Sequence, residues 1–379
     1  MRILTISNCP LVESQGSGYV IVNYCRGLRS LGHEVDVFAP DDYELWQQWR
    51  GRANSYRQAL GMLPFTLGQV SKKAYDVLEF YGGEAWLTIR VLRQLFPKRW
   101  LLVAHSNGIE PFVISTMAQA ARAGIITDPL GKWYQFNQSS LFALAFRQAH
   151  GIVTVSDRER DYALHQGYQD SAHVVAINNP LPNDYHQIPI TLDRPPVIGY
   201  CGSWIPRKGI HLIQQDMTRL LQEYPQWHLM LIGVGQSFQK QAYFPASLHP
   251  SITVIPQVDD RAELCRLYQS IAILIAPSVY ESFGLTIAEA MACGCAVVTS
   301  NTGFGSVLQP GHEAMILGDL QSPALYNAVK TLVVNDALRR TIAQAGYQRV
   351  QGLRWEPAIR CLEQTYCHWL EELRSGRMR

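Results

Sequence analysis

Short apolar, β-branched runs alternate with longer amphipathic stretches along almost the whole chain. Arg2 to Ser7, Glu34 to Ala39, Tyr75 to Phe80, Trp100 to Ala104, Ile152 to Ser156 and His173 to Ile177 predict six strands. Further on, Val197 to Cys201, Trp227 to Ile232, Ile252 to Ile255, Ile271 to Ala276 and Ala296 to Thr299 predict five more. Helical segments lie between them, among them Tyr19 to Leu31 and Thr286 to Cys293, and Leu325 to Val350 and Trp355 to Leu373 close the chain. Gly32-His33 ends the first of these helices, and Gly294 suits the position after the second. The pattern is α/β from end to end, with no internal repeat and no low-complexity tract.

The two sets of strands are separated by Asn178 to Tyr185, Pro189 and Pro195-Pro196, a proline-rich run with weak patterning. At 379 residues the chain exceeds one ordinary core, so two domains are expected. The boundaries read as residues 1–185, a linker at 186–196, a second domain at 197–354, and a last helix at 355–379.

The most informative stretch is Ala276 to Ser300. Pro277 stops the strand Ile271 to Ala276, because proline has no N–H to give a sheet ladder. Glu281 follows in a loop, then Phe283-Gly284-Leu285 and a helix carrying Glu289 among small apolar residues. Ligands of open parallel sheets sit at the carboxyl ends of strands. A helix starting there offers unpaired N–H groups and about half a positive charge, which suits a phosphate or sugar hydroxyls. Taken singly, Glu281 reads better as a solvated loop residue and Glu289 as a helix surface residue; the small, apolar helix around Glu289 weakens that reading.

Composition narrows the partners. With 47% hydrophobic and 17% charged residues and a net charge of +2, the chain offers no case for nucleic-acid binding. Its apolar start is short and reads as a first strand, and no apolar run approaches the roughly 20 residues of a spanning helix. The eight cysteines are scattered, and Cys293-Gly-Cys295 is not metal-site spacing, so reduced thiols in a cytoplasmic protein are expected.

Other candidates come from the turns that follow strands. Gly16-Ser17-Gly18 follows the first strand; it is no dinucleotide fingerprint, since Ile21 stands where G-x-G-x-x-G needs glycine. His105, in His105-Ser-Asn-Gly-Ile-Glu110, ends another strand, where a histidine alone is more often structural than catalytic. Arg207 and Lys208, beside Gly209 at a helix start, make either an anion site or a solvated basic turn. Gly233-Val-Gly235 ends the strand Trp227 to Ile232. Trp46, Trp49, Arg50, Arg52, Tyr56 and Arg57 leave two readings open: a packed aromatic stripe, or a segment that docks on a membrane.

The stretch Pro277 to Val298 resembles the signature of retaining, nucleotide-sugar-dependent glycosyltransferases of family 4, PS-x-x-E-x-FGL-x-x-x-E-A-M-A-x-G-x-P-V-V. Pro277, Ser278, Glu281, Phe283-Gly284-Leu285, Glu289-Ala290-Met291-Ala292, Gly294 and Val297-Val298 fall in register, with Ala296 in place of the family's last proline. Gly16-Ser17-Gly18 and Leu31-Gly-His-Glu-Val35 match the family's opening. The resemblance implies the GT-B fold, two Rossmann-like domains facing a cleft, with the last helix crossing back to the first domain. It implies a nucleotide-diphosphate sugar as donor and a sugar or lipid-linked acceptor, with no metal or other cofactor and possible contact with the inner membrane face.

Roles follow residue by residue. Glu281 would hold donor-sugar hydroxyls, Glu289 the ribose, and His105 the donor sugar, with Glu110 a weaker candidate. Lys208 and the amides of Phe283 to Leu285 would hold the diphosphate. Gly16-Ser17-Gly18, Gly233 and Gly235 would let backbone approach the ligands, and the turn Pro256 to Val258 would meet the base. In the family's G-R-L-x-x-x-K-G stretch the arginine position is Ser203 here, so Arg207 is expected to stand in from another backbone position. Two rivals remain: another GT-B enzyme, a nucleotide-sugar epimerase or a phosphorylase (without a pyridoxal-lysine motif), and a non-catalytic scaffold that binds nucleotide sugars.

Overall fold

The computed structural model describes residues 1–12, 16–45, 54–126 and 132–378. The first compact unit comprises residues 1–115, 130–179 and 355–379, and the second comprises 116–129 and 180–354.

In the first unit, β1 (Arg2–Ile6), β2 (Glu34–Phe38), β3 (Val77–Tyr81), β4 (Leu101–His105), β5 (Gly151–Thr154) and β6 (Val174–Ala176) form one sheet in the order β2-β1-β3-β4-β5-β6. Every pairing is parallel. All five residues of β3 and of β4 are buried, as strands covered by helices on both faces require. Leu4, Ile6, Leu78, Phe80, Leu102 and Ala104 alternate along three strands and pack on Ile89, Leu92, Ala145 and Phe146 from helices. The last helix, Trp355–Ser375, belongs to this unit. Its Trp355 ring packs edge-on against Tyr19 and Tyr24, and Trp369 Nε1 donates to Ala172 O at 3.0 Å.

The second unit repeats the plan with β7 (Val197–Cys201), β8 (His228–Ile232), β9 (Ile252–Ile255), β10 (Ile273–Ala276), β11 (Ala296–Ser300) and β12 (Met315–Leu317), ordered β12-β11-β10-β7-β8-β9 and again parallel. The three-residue β12 has too little pattern to be legible beforehand. Ile198, Tyr200, Leu229, Leu231, Ile273, Ile275 and Val298 form the strand side of its core, against Leu212, Met217, Leu220, Val329 and Leu332. Strand order reverses once in each sheet, between β1 and β3 and between β7 and β10. Those two switch points are where the loops at the carboxyl edge diverge and leave a crevice.

The proline-rich run, read as a linker, lacks regular strand or α-helix. Pro180 onward packs on the second unit: Tyr185 is fully buried, Leu181 N donates to Leu353 O at 2.9 Å, and Tyr347 Oη donates to Ile188 O at 2.9 Å. Arg194 then fixes the run's end. Its Nη1 donates to Tyr268 O, Gln269 O and Ile271 O at 2.9, 2.7 and 3.2 Å, and its Nη2 donates to Cys293 O. One guanidinium thus satisfies carbonyls at the ends of the helices Arg261–Gln269 and Leu285–Ala292, where the helix dipole favours a cation. Proline stiffness explains the lack of regular structure; side-chain anchoring explains why the segment is nonetheless held.

Arg194→Ala should therefore destabilise the second unit by on the order of 3 kcal/mol, the cost of charge-assisted hydrogen bonds to otherwise orphaned carbonyls. Urea titration followed by circular dichroism checks this, and an unshifted transition would refute it.

Candidate active site

The loops after β7 and β10 meet at the second unit's switch point, and a glycine allows it. Gly209 has φ +72°, and a Cβ there would lie 1.9 Å from Pro277 O. Any other residue would push the two loops apart. With the gap closed, Val279 N donates to Arg207 O at 2.8 Å, and Arg207 Nη1 donates to Tyr280 O at 2.8 Å.

This join places both cations on one carboxylate. Lys208 Nζ lies 2.6 Å from Glu281 Oε1, and Arg207 Nη1 lies 3.7 Å from Oε2. Ser278 Oγ also donates to Oε1 at 2.6 Å, while Glu281 N donates to Thr302 Oγ1 at 3.0 Å. The Glu281 side chain is only 11% exposed, so the pair is shielded, and its attraction exceeds that of a surface ion pair. Arg207, expected to stand in for the arginine that Ser203 replaces, reaches the same carboxylate as Lys208. Ser203 itself is exposed, and its carbonyl accepts from Tyr200 Oη at 2.7 Å. Neighbouring Trp204 packs edge-on against Tyr200, Phe238 and Tyr243, which ties this loop to the segment after β8.

Gly284, in a left-handed conformation at φ +92°, precedes the helix Leu285–Ala292, and no side chain caps that helix start. Its first N–H groups are therefore available to an anion beside Lys208. Phe283 is buried behind them. Glu289, one turn inside, accepts from Tyr268 Oη at 3.3 Å, and burial pushes its carboxyl up to about 7. The loops after β8 and β9 are stitched alongside: Gly202 N donates to Ile232 O, Gly233 N to Ile255 O and Gly235 N to Pro256 O, at 2.8 to 2.9 Å. Val258, in the loop after β9, is buried. The structure thus gathers Lys208, Arg207, Glu281, Gly284, Leu285 and Glu289 at the carboxyl edge of the second unit's sheet. Gly233, Gly235 and Val258 lie on the same edge.

The first unit has its own cluster at the β1/β3 switch. Gly16 opens the helix Gly16–Ser30 at φ +70°, Ser17 is half-buried, and Gly18 is buried where a Cβ would meet Pro10 O at 2.3 Å. Asn8 Nδ2 donates to Glu84 Oε2 at 3.1 Å, and Gly83 N donates to Glu110 Oε1 at 3.0 Å. Burial raises both carboxyls above their usual range, Glu110 further because Glu84 is close.

His105, expected to contact the donor sugar, is the last residue of β4. It is buried, its Nε2 shares a 2.6 Å hydrogen bond with Tyr366 Oη, and Glu79 Oε1 is 3.6 Å away. Burial drops its pKa to about 3, so the ring is neutral. The partner that occupies it comes from the last helix, 261 residues away, a contact no local pattern reveals. Thr302, Tyr268, Asn8 and Glu84 were likewise not singled out by the sequence. Trp46, Trp49, Arg50 and Arg52 lie outside the described residues.

Comparison with known proteins joins the two halves. Residues 15–180 match the model of the glycosyl transferase 4-like domain, and residues 195–335 match that of glycosyl transferases group 1. The chain belongs to this glycosyltransferase family. It is 24% identical over 302 residues to the capsular polysaccharide biosynthesis glycosyltransferase CapM of Staphylococcus aureus, covering 76% of this chain and 73% of that one. It is 28% identical over 227 residues to a phosphatidyl-myo-inositol mannosyltransferase of Mycobacterium tuberculosis, covering 57% and 59%. Among solved structures, sucrose-phosphate synthase from Thermosynechococcus elongatus superimposes with a TM-score of 0.78 at 19% identity, over 97% of this chain and 99% of that one. Anabaena Alr3699/HepE in complex with UDP-glucose superimposes with a TM-score of 0.67 at 18% identity, over 97% and 100%. The fold of this glycosyltransferase is GT-B.

The raised carboxyl of Glu289 has a measurable consequence for the glycosyltransferase. Between the ordinary carboxyl range and about pH 7 the folded chain holds a proton there that the unfolded chain has released. Glu289 therefore makes stability fall as pH rises through that window, and the effect is flat above it. Glu79 in the first unit, also pushed up to about 7 by burial, acts in the same direction. Comparing wild type with Glu289→Gln cancels that second contribution. In urea titrations the variant should gain on wild type between pH 5 and pH 8; parallel changes would show that Glu289 is not perturbed.

Proposed function

We propose that the protein is a retaining glycosyltransferase that moves a sugar from a nucleoside-diphosphate donor to a hydroxyl of a sugar or lipid-linked acceptor. The observation that carries this reading is the shielded Lys208–Glu281–Arg207 group beside an uncapped helix start at a switch point. A diphosphate leaving group develops negative charge as its bond to the sugar breaks, and preorganised cations and amides are what stabilise it. Lys208, Arg207 and the amides of the helix start supply that charge from the protein. Glu281 then holds donor-sugar hydroxyls and Glu289 the ribose hydroxyls.

In a front-face reaction the bond from the anomeric carbon to the diphosphate oxygen breaks as the acceptor oxygen bonds to the same face. The acceptor proton passes to the departing phosphate oxygen, so no protein nucleophile is required and configuration is retained. A uridine diphosphate sugar is the donor class to test first, because HepE was solved with UDP-glucose. The relatives named for capsular polysaccharide biosynthesis and for phosphatidyl-myo-inositol mannosyl transfer support a role in envelope polysaccharide or glycolipid synthesis.

Two sets of variants test the reading. Lys208→Ala should lower kcat by ~10²–10³, the usual loss for one preorganised contact to developing charge. Ser203→Arg, which restores the family residue, should recover part of that loss in the double variant. Steady-state kinetics with the matching donor decides; near-normal turnover of Lys208→Ala would place the diphosphate elsewhere. Glu289→Ala should weaken nucleotide binding by about tenfold or more, the loss of a charge-assisted hydrogen bond. Titration calorimetry with uridine diphosphate reads this directly, and equal affinity in a folded variant would remove Glu289 from the ribose site.

A further inference from the structure

The first unit seals a carboxyl beneath its last helix that the proposed chemistry does not use. Glu79, in the middle of β3, is 1% exposed. Neither of its oxygens has a hydrogen-bond partner in normal geometry, and the hydroxyls of Tyr24 and Tyr81 are likewise unmatched among the described residues. The groups packed around it come from several elements. Tyr24 and Cys25 face it from the helix Gly16–Ser30, Tyr81 from β3, His105 from β4 and Tyr366 from the last helix, with Cys361 beside Tyr24. None of these groups carries a positive charge, since burial keeps His105 neutral. An unpaired carboxyl in such a place is costly, and an apolar residue would serve a purely packing role better.

His105 stands at the other end of a short relay. Its ring lies against Tyr81, with centroids 4.5 Å apart, and its Nε2 shares the 2.6 Å hydrogen bond with Tyr366 Oη. Nε2 is also 3.6 Å from Glu79 Oε1, and the Tyr366 hydroxyl stands close enough to Glu79 to favour its anion. A neutral imidazole has one N–H and one acceptor nitrogen. A single hydrogen occupies the bond between Nε2 and Tyr366 Oη, so two arrangements are open. With Glu79 protonated, its O–H donates to Tyr366 Oη, the phenol donates to Nε2, and Nδ1 carries the ring hydrogen. With Glu79 ionised, the phenol donates to the carboxylate, Nε2–H donates to the phenol oxygen, and Nδ1 is bare. The two differ by one proton, released to water, and the histidine is uncharged in both.

We propose that Glu79 and Tyr366 are positioning residues for His105: the charge on Glu79, passed through the Tyr366 hydroxyl, decides which ring nitrogen carries the hydrogen. Burial sets the transition by pushing the carboxyl up to about 7. Below that pH Nδ1 is a donor, and above it an acceptor. Nδ1 is the nitrogen that Tyr366 leaves for a ligand, at the carboxyl end of β4, the edge where ligands of parallel sheets bind. A sugar hydroxyl that meets it accepts a hydrogen bond at low pH and donates one at high pH. The choice of tautomer stands on the first unit's geometry alone; its effect on sugar transfer rests on the transferase reading above.

The test uses the full chain with isotope-labelled histidine, in long-range proton–nitrogen spectra that distinguish the two tautomers, from about pH 5 to about pH 9. Wild type should show a neutral histidine passing from the Nδ1–H to the Nε2–H form with its midpoint at about 7, a signal missing from His105→Asn. Glu79→Gln should hold that ring in one form at every pH. Tyr366→Phe removes a hydroxyl that favours the anion, so the midpoint should move upward. With a matching donor and acceptor, the pH profile of kcat/KM should bend at the same midpoint in wild type and not in Glu79→Gln. Cooperative urea transitions show that the variants are folded. A wild-type spectrum in which every uncharged histidine keeps one tautomer would overturn the proposal, with no variant needed. So would a transition that survives in Glu79→Gln, or a midpoint unmoved in Tyr366→Phe. A tautomer change beside a kcat/KM profile without the bend would overturn the relay's place in the reaction. The same change in a chain that transfers sugar from no nucleotide sugar would leave the relay standing and remove the transferase reading.

Discussion

The contact between Gly209 and the Pro277 carbonyl is the constraint on which the second unit's site depends. Parallel strands β7 and β10 are neighbours, but their following loops run to opposite sides of the sheet. Only a residue without a side chain lets them touch before they part. Because they touch, two cations carried by one loop reach a glutamate carried by the other. Lys208 and Arg207 take different oxygens of Glu281, and Ser278 and Thr302 fix that glutamate further. A shielded carboxylate is costly unless paired, and here the pairing is supplied by groups that a diphosphate can also engage. In the proposed reaction the same cations balance the leaving group, so the resting ion pairs hold them in position beforehand.

The two units treat their ionisable groups differently. In the second, charges gather at the open edge of the sheet. In the first, His105 and Glu79 are sealed beneath the last helix and its Tyr366, and burial leaves the histidine neutral. Glu84 and Glu110 occupy that unit's switch point with raised pKa values, their hydrogen bonds coming from Asn8 and Gly83. The last helix thus has a structural task that its position in the chain disguises: it completes the first unit's core with Tyr366 and Trp369, and its half-buried Trp355 packs on Tyr19 and Tyr24. Arg194 does comparable work in the second unit, holding two helix ends and the proline-rich run together.

The helix Asn54–Lys72 reverses the usual economy of a soluble surface. It buries Arg57 against Glu44 while Leu60 and Leu67 stay exposed. Tyr56 and Arg57 entered the sequence reading through aromatic and basic content. Neighbouring side chains on the helix then parted, one outward and one into an ion pair.

Much of this protein was legible in its residues alone. Buried parallel strands are short apolar runs, so eleven of the twelve were visible, with ends shifted by a residue or two where buried patterning runs past the last ladder bond. The segment from Pro277 to Val298 announced its loop, its helix start and Glu281 and Glu289, because those features depend on neighbours in sequence. Family membership followed from the same stretch. What only the tertiary structure decided are pairings between distant residues: Lys208 with Glu281, His105 with Tyr366, Arg194 with two helix ends. It also decided which side of the helix Asn54–Lys72 faces outward. Periodicity says that a helix has an apolar stripe; only the packing of the rest of the chain says whether that stripe is turned inward.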